Sequence, residues 1–144
     1  MRAIITKQGD PIAKERPRFC RRGKHVGTYK TDKQEREERD FTIDAIRELK
    51  ADGWVQPDKE TPITVFCTFY MPIPKSSTKK FKALCDSVPV RHVKRPDVDN
   101  LVKFVLDCLN GVAWVDDGQV AEVNAVKLYS TQPRTVVILE CEGE

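Results

Sequence analysis

The stretch Arg95-Pro-Asp-Val-Asp-Asn-Leu-Val-Lys-Phe-Val-Leu-Asp-Cys-Leu-Asn-Gly-Val-Ala-Trp-Val-Asp-Asp-Gly-Gln119 decides how this chain is read. Pro96 disfavours the α region at Arg95, so a helix is expected to begin near Val98 with Asp97 as its cap, and Gly111 after Asn110 marks its end. On a helical projection Val98, Leu101, Val102, Val105, Leu106 and Leu109 form an apolar arc, while Asp99, Lys103, Asp107 and Asn110 lie together opposite it. One side is expected to pack and the other to face outward. A helix of about twelve residues climbs about 18 Å, and Gly111–Val115, if extended, returns about 17 Å. A reversal at Asn110-Gly111 would then bring Asp116 and Asp117 back beside Asp97 and Asp99.

Carboxylates brought together repel, so such a group takes up a proton or binds a cation. Oxygen donors without His or Cys suit Mg²⁺ or Mn²⁺, ions that bind one or a few carboxylates together with waters and a substrate phosphate. Lys103 adds a positive charge within a turn of the helix start, useful against a phosphate in a transition state. An EF-hand is excluded: counting from Asp97, its third ligand position is Leu101 and its required glycine is Val102. From spacing alone the plainer readings stay open. Asp97 can be an N-cap only, Asp99–Lys103–Asp107 an i,i+4 charge ladder on a solvated face, and Asp116-Asp117-Gly118 a turn.

The run Arg95–Gln119 resembles the signature of the RusA family of Holliday junction endodeoxyribonucleases: an aspartate pair, an Asn, a Lys, a downstream Asp and a Trp-containing segment ending in Asp-Asp. The likeness continues more weakly through Lys14-Glu-Arg-Pro-Arg-Phe19 and Met71-Pro-Ile-Pro-Lys75. It implies that the catalytic carboxylates are Asp97, Asp99 and Asp117 and the catalytic lysine Lys103. The same three aspartates are then the expected Mg²⁺ ligands, with Mn²⁺ as a substitute and Asp116 as an auxiliary ligand. Asp107, nearly two turns farther along the face, is expected to be supporting or structural. The resemblance also implies a homodimer whose two sites face one DNA four-way junction and make paired symmetric nicks, as DNA recombination and repair require. Many family members are encoded by phages and prophages, so such an origin is an expectation here as well. Two other readings use the same residues differently: a nuclease for flaps or other branched DNA, and a DNA-binding protein that does not cut. The acidic cluster argues against the last, because a simple phosphate binder gains nothing from aspartates near its ligand.

The rest of the composition fits an α+β chain with one mixed sheet and packed helices, a single domain over residues 1–144. Although 33% of the 144 residues are charged, the net charge is only +3, so any nucleic-acid surface must come from how charge is distributed. That distribution is uneven. From Lys14 to Arg36 the basic residues are Lys14, Arg16, Arg18, Arg21, Arg22, Lys24, Lys30, Lys33 and Arg36, against Glu15, Asp32 and Glu35. Pro17, Gly23 and Gly27 make the first half a loop or irregular hairpin, and Phe19 and Tyr29 can either anchor it or stack on a base. Lys14, Arg16, Arg18, Arg21, Arg22 and Lys24 are the candidate phosphate contacts, because such contacts release counterions and position a duplex without reading its sequence. Five dispersed cysteines without a Cys-x-x-Cys pair argue against a disulfide framework or a zinc site. With no secretory or long apolar segment in the sequence, a cytoplasmic chain with no membrane insertion is expected.

Elsewhere, Arg2–Lys7 reads as a strand and Asp32-x-x-Glu35 as a capping box opening a helix to about Lys50, packed through Phe41, Ala45, Ile46 and Leu49. Trp54 and Val55 are expected to plug the edge of the core. Ile63–Met71 reads as a central strand stopped by Pro72 and Pro74. A short helix follows, capped by Ser76, Ser77 or Thr78 and flanked by Lys79, Lys80 and Lys82. Ser87–Lys94 is extended and carries His92, a general-base candidate with no partner identifiable in sequence. Gln119–Tyr129 and Thr135–Glu142 are expected to pair with each other as antiparallel strands, with a bulge to explain the irregular alternation of the first. Lys127 points either to the site or to an edge.

Overall fold

Ile63, Val65, Cys67, Phe69 and Met71 alternate with partly exposed neighbours, as a strand with a covered face requires. In a computed structural model that describes residues 1–142, they form β4 (Ile63–Pro72), and all five side chains are buried. Residues 143 and 144 of the expected domain lie outside the described residues. Around β4 are β1 (Arg2–Gln8), β2 (Arg18–Arg22), β3 (His25–Tyr29), α1 (Asp32–Ala51), α2 (Lys79–Ser87), α3 (Val98–Leu109), a 3-10 turn at Asp117–Gln119, β5 (Val120–Ser130) and β6 (Arg134–Cys141). The main sheet runs β1-β6-β4-β5, and β2 and β3 form a separate hairpin. The architecture is the expected α+β one, with a mixed sheet carrying helices.

β4 is central, as its pattern suggests, but the expected pairing of the last two strands with each other is overturned. β5 runs parallel to one side of β4 and β6 antiparallel to the other. The three-residue link between β5 and β6 passes the C-terminal end of β4, where Pro72 and Pro74 have already ended that strand and cannot extend its ladder. The parallel β4–β5 pair needs a long crossover, and the chain from α2 through α3 provides it. The irregularity in β5 is a bulge: Val120 pairs with Ile63, whereas Thr64 pairs with Glu122, leaving Ala121 unmatched.

The buried face of the sheet, with Ala3 and Ile5 of β1 and Val137 and Leu139 of β6 beside the β4 row, is covered by Phe41, Ala45 and Leu49 of α1 and by α3. The buried stripe of α3 is Leu101, Phe104, Val105, Cys108 and Leu109. It is turned toward Phe104 and Cys108 relative to the expected arc, and Val98 stays exposed. Phe104 meets Phe41 edge to face at 5.7 Å and 82°, the arrangement that ring quadrupoles prefer.

Several local expectations shift for definite reasons. α1 is capped by Thr31, whose hydroxyl accepts the Gln34 N–H at 3.2 Å, so Asp32 is the first helical residue rather than the cap. Ile46 and Val55 are exposed, leaving Phe41, Ala45, Leu49 and Trp54 to pack. Of the three caps considered for α2, Thr78 is used. Gly111–Val115 is not a return strand: the Val112 and Ala113 N–H groups both donate to the Leu109 carbonyl (3.0 and 2.9 Å), and Gly111 takes φ +77°, so the chain leaves α3 in tight turns.

Phe104→Ala would remove the ring that joins α3 to α1. A loss of about 3–4 kcal/mol is expected in chemical denaturation, and a loss below about 1 kcal/mol would mean that this contact does not hold the two helices together.

Candidate active site

α3 begins at Asp97, which occupies the N-cap position with extended backbone but makes no side-chain capping bond. Its carboxylate therefore makes no bond to the helix that it opens. Asp97, Asp99, Lys103 and Asp107 are all exposed, with Lys103 one turn from each of Asp99 and Asp107. The approach to the helix is pinned from the sheet. Lys127 of β5 donates from Nζ to the carbonyls of Lys94 (2.6 Å) and Pro96 (2.8 Å), on either side of Arg95, and the Arg95-Pro96 bond is cis. The adjoining segment lies along β5 as well, through Tyr129 N–H to the Val90 carbonyl (2.9 Å) and His92 N–H to the Lys127 carbonyl (3.0 Å). Lys127 thus sets where Asp97 emerges.

The second acidic group, Asp116-Asp117, is held by amides. Gln119 is buried, and all of its hydrogen-bonding capacity is used. Its Oε1 accepts from the N–H groups of Val115 (2.7 Å) and Asp116 (3.2 Å), and its Nε2 donates to the carbonyls of Asp58 (2.8 Å) and Thr61 (3.1 Å). Trp114 donates from Nε1 to Asp117 Oδ1 at 2.8 Å. One layer out, Trp54 Nε1 donates to the Ala113 carbonyl, and Gln56 Nε2 to those of Gly111 and Trp114. Asp116 accepts the Gly118 N–H at 3.1 Å. Burial lifts the Asp117 carboxyl above its ordinary pKa, the Trp114 bond opposes this, and the negative charges of Asp107 and Asp116 add to the rise.

The charges acting on Asp117 are thus those of Asp107 and Asp116. Among the described residues no three Asp, Glu, His or Cys side chains stand close enough to hold a metal ion. The four carboxylates expected near the helix start thus form no such group in the free chain, and the chain leaves α3 in turns over Gly111–Val115 rather than as the expected extended return.

The basic segment divides into two parts. Lys14 is drawn inward: its Nζ contacts Glu38 (2.8 Å) and Asp107 (3.0 Å), its side chain is 13% exposed, and its N–H donates to the Asn100 carbonyl of α3. Burial disfavours its charge, but the bonds and charges of Glu38 and Asp107 outweigh that and raise its pKa. Lys30 holds the other Glu38 oxygen at 2.8 Å, and Thr31 donates to Glu15. This hub fixes the root of the β2–β3 hairpin to α1 and to the outer face of α3. Arg16, Arg18, Arg21, Arg22 and Lys24 remain exposed, the last four on the hairpin itself, where Gly23 (φ +60°) opens a two-residue loop.

Residues 8–140, nearly the whole chain, match the family described as endodeoxyribonuclease RusA. The chain belongs to that family. It is also similar to YqaN, an uncharacterized protein of Bacillus subtilis (strain 168), at 39% identity over 80 residues. That match covers 54% of this chain and 56% of the relative, so the chain matches little more than half of that protein's length.

In this RusA-family chain the donors near α3 are carboxylate oxygens, a hard set. They fit a cation held by one or two carboxylates with water and phosphate completing its shell, rather than a cage built by the protein alone. His92 is held against β5. Its ring packs on Tyr129 at 4.9 Å, and burial, Lys127 and Lys94 lower its pKa. Sequence reasoning missed Gln119, Gln56 and the polar edges of Trp54 and Trp114. Their signal is faint, because an amide or indole that satisfies distant backbone groups has no fixed spacing to them.

Two results are expected. Gln119→Leu leaves four backbone groups without their partners and should destabilise the protein by about 2–3 kcal/mol; a change within about 0.5 kcal/mol would show that the acidic loop is held otherwise. The second concerns Glu38, whose burial raises its pKa but whose bonds to Lys14 and Lys30 prevail and lower it below its ordinary 4.5. A depressed carboxyl stabilises the folded state above its ordinary pKa, and that stability is lost as pH falls through the folded value. Thermal midpoints of wild type should therefore drop more steeply below about pH 4.5 than those of Glu38→Gln, and parallel curves would overturn the assignment.

Proposed function

We propose that this chain is a Mg²⁺-dependent, structure-selective endodeoxyribonuclease that resolves DNA four-way junctions as a homodimer, with Mn²⁺ able to substitute, in recombination and repair. Family membership supports the nuclease chemistry. The observation that carries the reading is that α3 packs with one side and presents Asp97, Asp99 and Lys103 on the other, while the loop held by Gln119 brings Asp117 under the influence of Asp107 on that same helix.

Asp97, Asp99 and Asp117 are the residues that would supply the one or two carboxylates that hold the cation, with waters and the substrate phosphate completing its shell and Asp116 as an auxiliary ligand. Bound there, it would supply hydroxide near neutral pH and charge stabilisation for the leaving 3′-oxygen. Lys103 offsets charge on the scissile phosphate, and the helix start adds the partial positive charge of its free N–H groups. Asp107, paired with Lys14, keeps the hairpin root against α3 and raises the pKa of Asp117, a supporting role. Arg16, Arg18, Arg21, Arg22 and Lys24 contact phosphates, whereas Lys14 is committed inside the chain. Two copies suit a four-way junction because the junction is nearly two-fold symmetric, so identical sites make matching nicks.

Cleavage of a labelled four-way junction beside linear and flap DNA, with Mg²⁺ or EDTA, tests this. Wild type should make paired, metal-dependent nicks at the junction. Asp99→Asn should bind it and lose at least about a hundredfold in rate, the scale of removing one charge-stabilising group, and Asp107→Asn should lose less. Equal cutting of flaps would make the protein a general branched-DNA nuclease, and junction binding without cutting under any divalent ion would make it a binding protein.

A further inference from the structure

The β2–β3 hairpin carries more than charge. Its register pairs Phe19 with Thr28 and Arg21 with Val26 on one face, and Arg18 with Tyr29, Cys20 with Gly27 and Arg22 with His25 on the other. Phe19 and Val26 are diagonal neighbours on the first face, close enough for side chains to touch. They are 76% and 65% exposed. A two-stranded hairpin alone is marginal in water, and this one leaves its apolar face uncovered.

The charge of the arm selects what covers it. From Arg18 to Lys30 it carries Arg18, Arg21, Arg22, Lys24 and Lys30 and no Asp or Glu, so the complementary surface is polyanionic. A phosphate backbone satisfies the cations but offers nothing to an exposed phenyl ring, and a continuous duplex hides the faces of its bases. Phosphates and open base faces occur together where stacking is interrupted. The root of the arm is fixed to α3 through Lys14, Glu38 and Asp107. A five-residue strand reaches about 17 Å, or about five base steps.

We infer that Phe19, backed by Val26 on the cationic hairpin, stacks against unpaired or unstacked bases at the branch point of a DNA substrate and so favours branched over linear DNA. This rests on the nuclease reading above and names the part of the chain that recognises the branch. The phosphate contacts of the arm hold any DNA, and the ring responds only where the stack is open.

The experiment measures binding to a four-way junction and to a linear duplex of the same sequence, in the Asp99→Asn background so that nothing is cut. Adding Phe19→Ala should weaken junction binding about tenfold or more, one stacked base's worth, and leave duplex affinity and its salt dependence unchanged. Arg21→Ala should weaken both substrates alike and flatten the salt dependence. Phe19→Trp gives a direct signal when the emission of the same chain with Phe19, which comes from the buried Trp54 and Trp114, is subtracted: the added emission should be quenched by the junction and not by the duplex. The inference is overturned if Phe19→Ala keeps the junction-to-duplex ratio, or if the Phe19→Trp emission ignores the junction. It is also overturned if Phe19→Ala disrupts the oligomer in the absence of DNA, which would assign the ridge to a second copy. A parent protein that cuts and prefers junctions while Phe19→Ala retains that preference defeats this inference alone; a parent with no preference for junctions defeats the proposed function as well.

Discussion

α3 has to bury Leu101, Phe104, Val105, Cys108 and Leu109 while keeping Asp97, Asp99, Lys103 and Asp107 in water, and the surrounding structure follows from that division. A twelve-residue helix is marginal alone, so its position comes from the packed side, against α1 and the sheet. Once that side is fixed, the acidic side is fixed too, because the two are set by the same 3.6-residue period. The ends need separate control, since terminal N–H and C=O groups have no partners within the helix. At the start, Lys127 binds the carbonyls on either side of Arg95; at the end, Gly111 turns the chain and Trp54 and Gln56 take up the carbonyls beyond it.

Electrostatics divides the basic residues into two groups with different work. Lys14 lies between Glu38 and Asp107, and burial penalises the charges of Lys14 and Glu38, which their mutual bonds offset. The arginines of the arm have no such partners among the described residues apart from the weak Arg21 Nε bond to the Gly23 carbonyl, and they remain available to a polyanion. Sequence composition counts the two kinds alike. Net charge therefore says little about this chain, whereas the placement of its charge says a good deal.

The limits of sequence reading follow from the same physics. β4, α1 and α3 were legible because their apolar periods of 2 and 3.6 run long enough to stand out, and the stop at Asn110-Gly111 was legible because glycine adopts positive φ at no steric cost. The order of strands was not legible, because periodicity shows that β5 and β6 are strands but not that β4 lies between them. The run Gly111–Val115 misled for a related reason: Val112, Ala113 and Trp114 are apolar enough for a strand, but they pack while turning, Val112 partly and the other two fully buried, with backbone groups satisfied by Leu109, Trp54 and Gln56. The family signature names the candidate site residues, but how they are arranged was not legible, because that depends on this turn. The charge of Lys127 is plain in the sequence, but the two carbonyls it binds lie more than thirty residues away.

The spread of the carboxylates itself has a physical rationale. Asp117 already carries a raised pKa from burial and from Asp107 and Asp116. Bringing Asp97 and Asp99 against it in the free chain would add two like charges and push the group further toward protonation, the form that binds no cation. Among the described residues the free chain therefore assembles no complete cage of three ligating side chains. On the proposed reading, the phosphate of the substrate then completes what the protein leaves open, so that cutting depends on the DNA being correctly placed. The rigid supports found here, Lys127 at one acidic group and Gln119 at the other, are what such a design requires, since two half-sites can share one phosphate only if the distance between them is fixed.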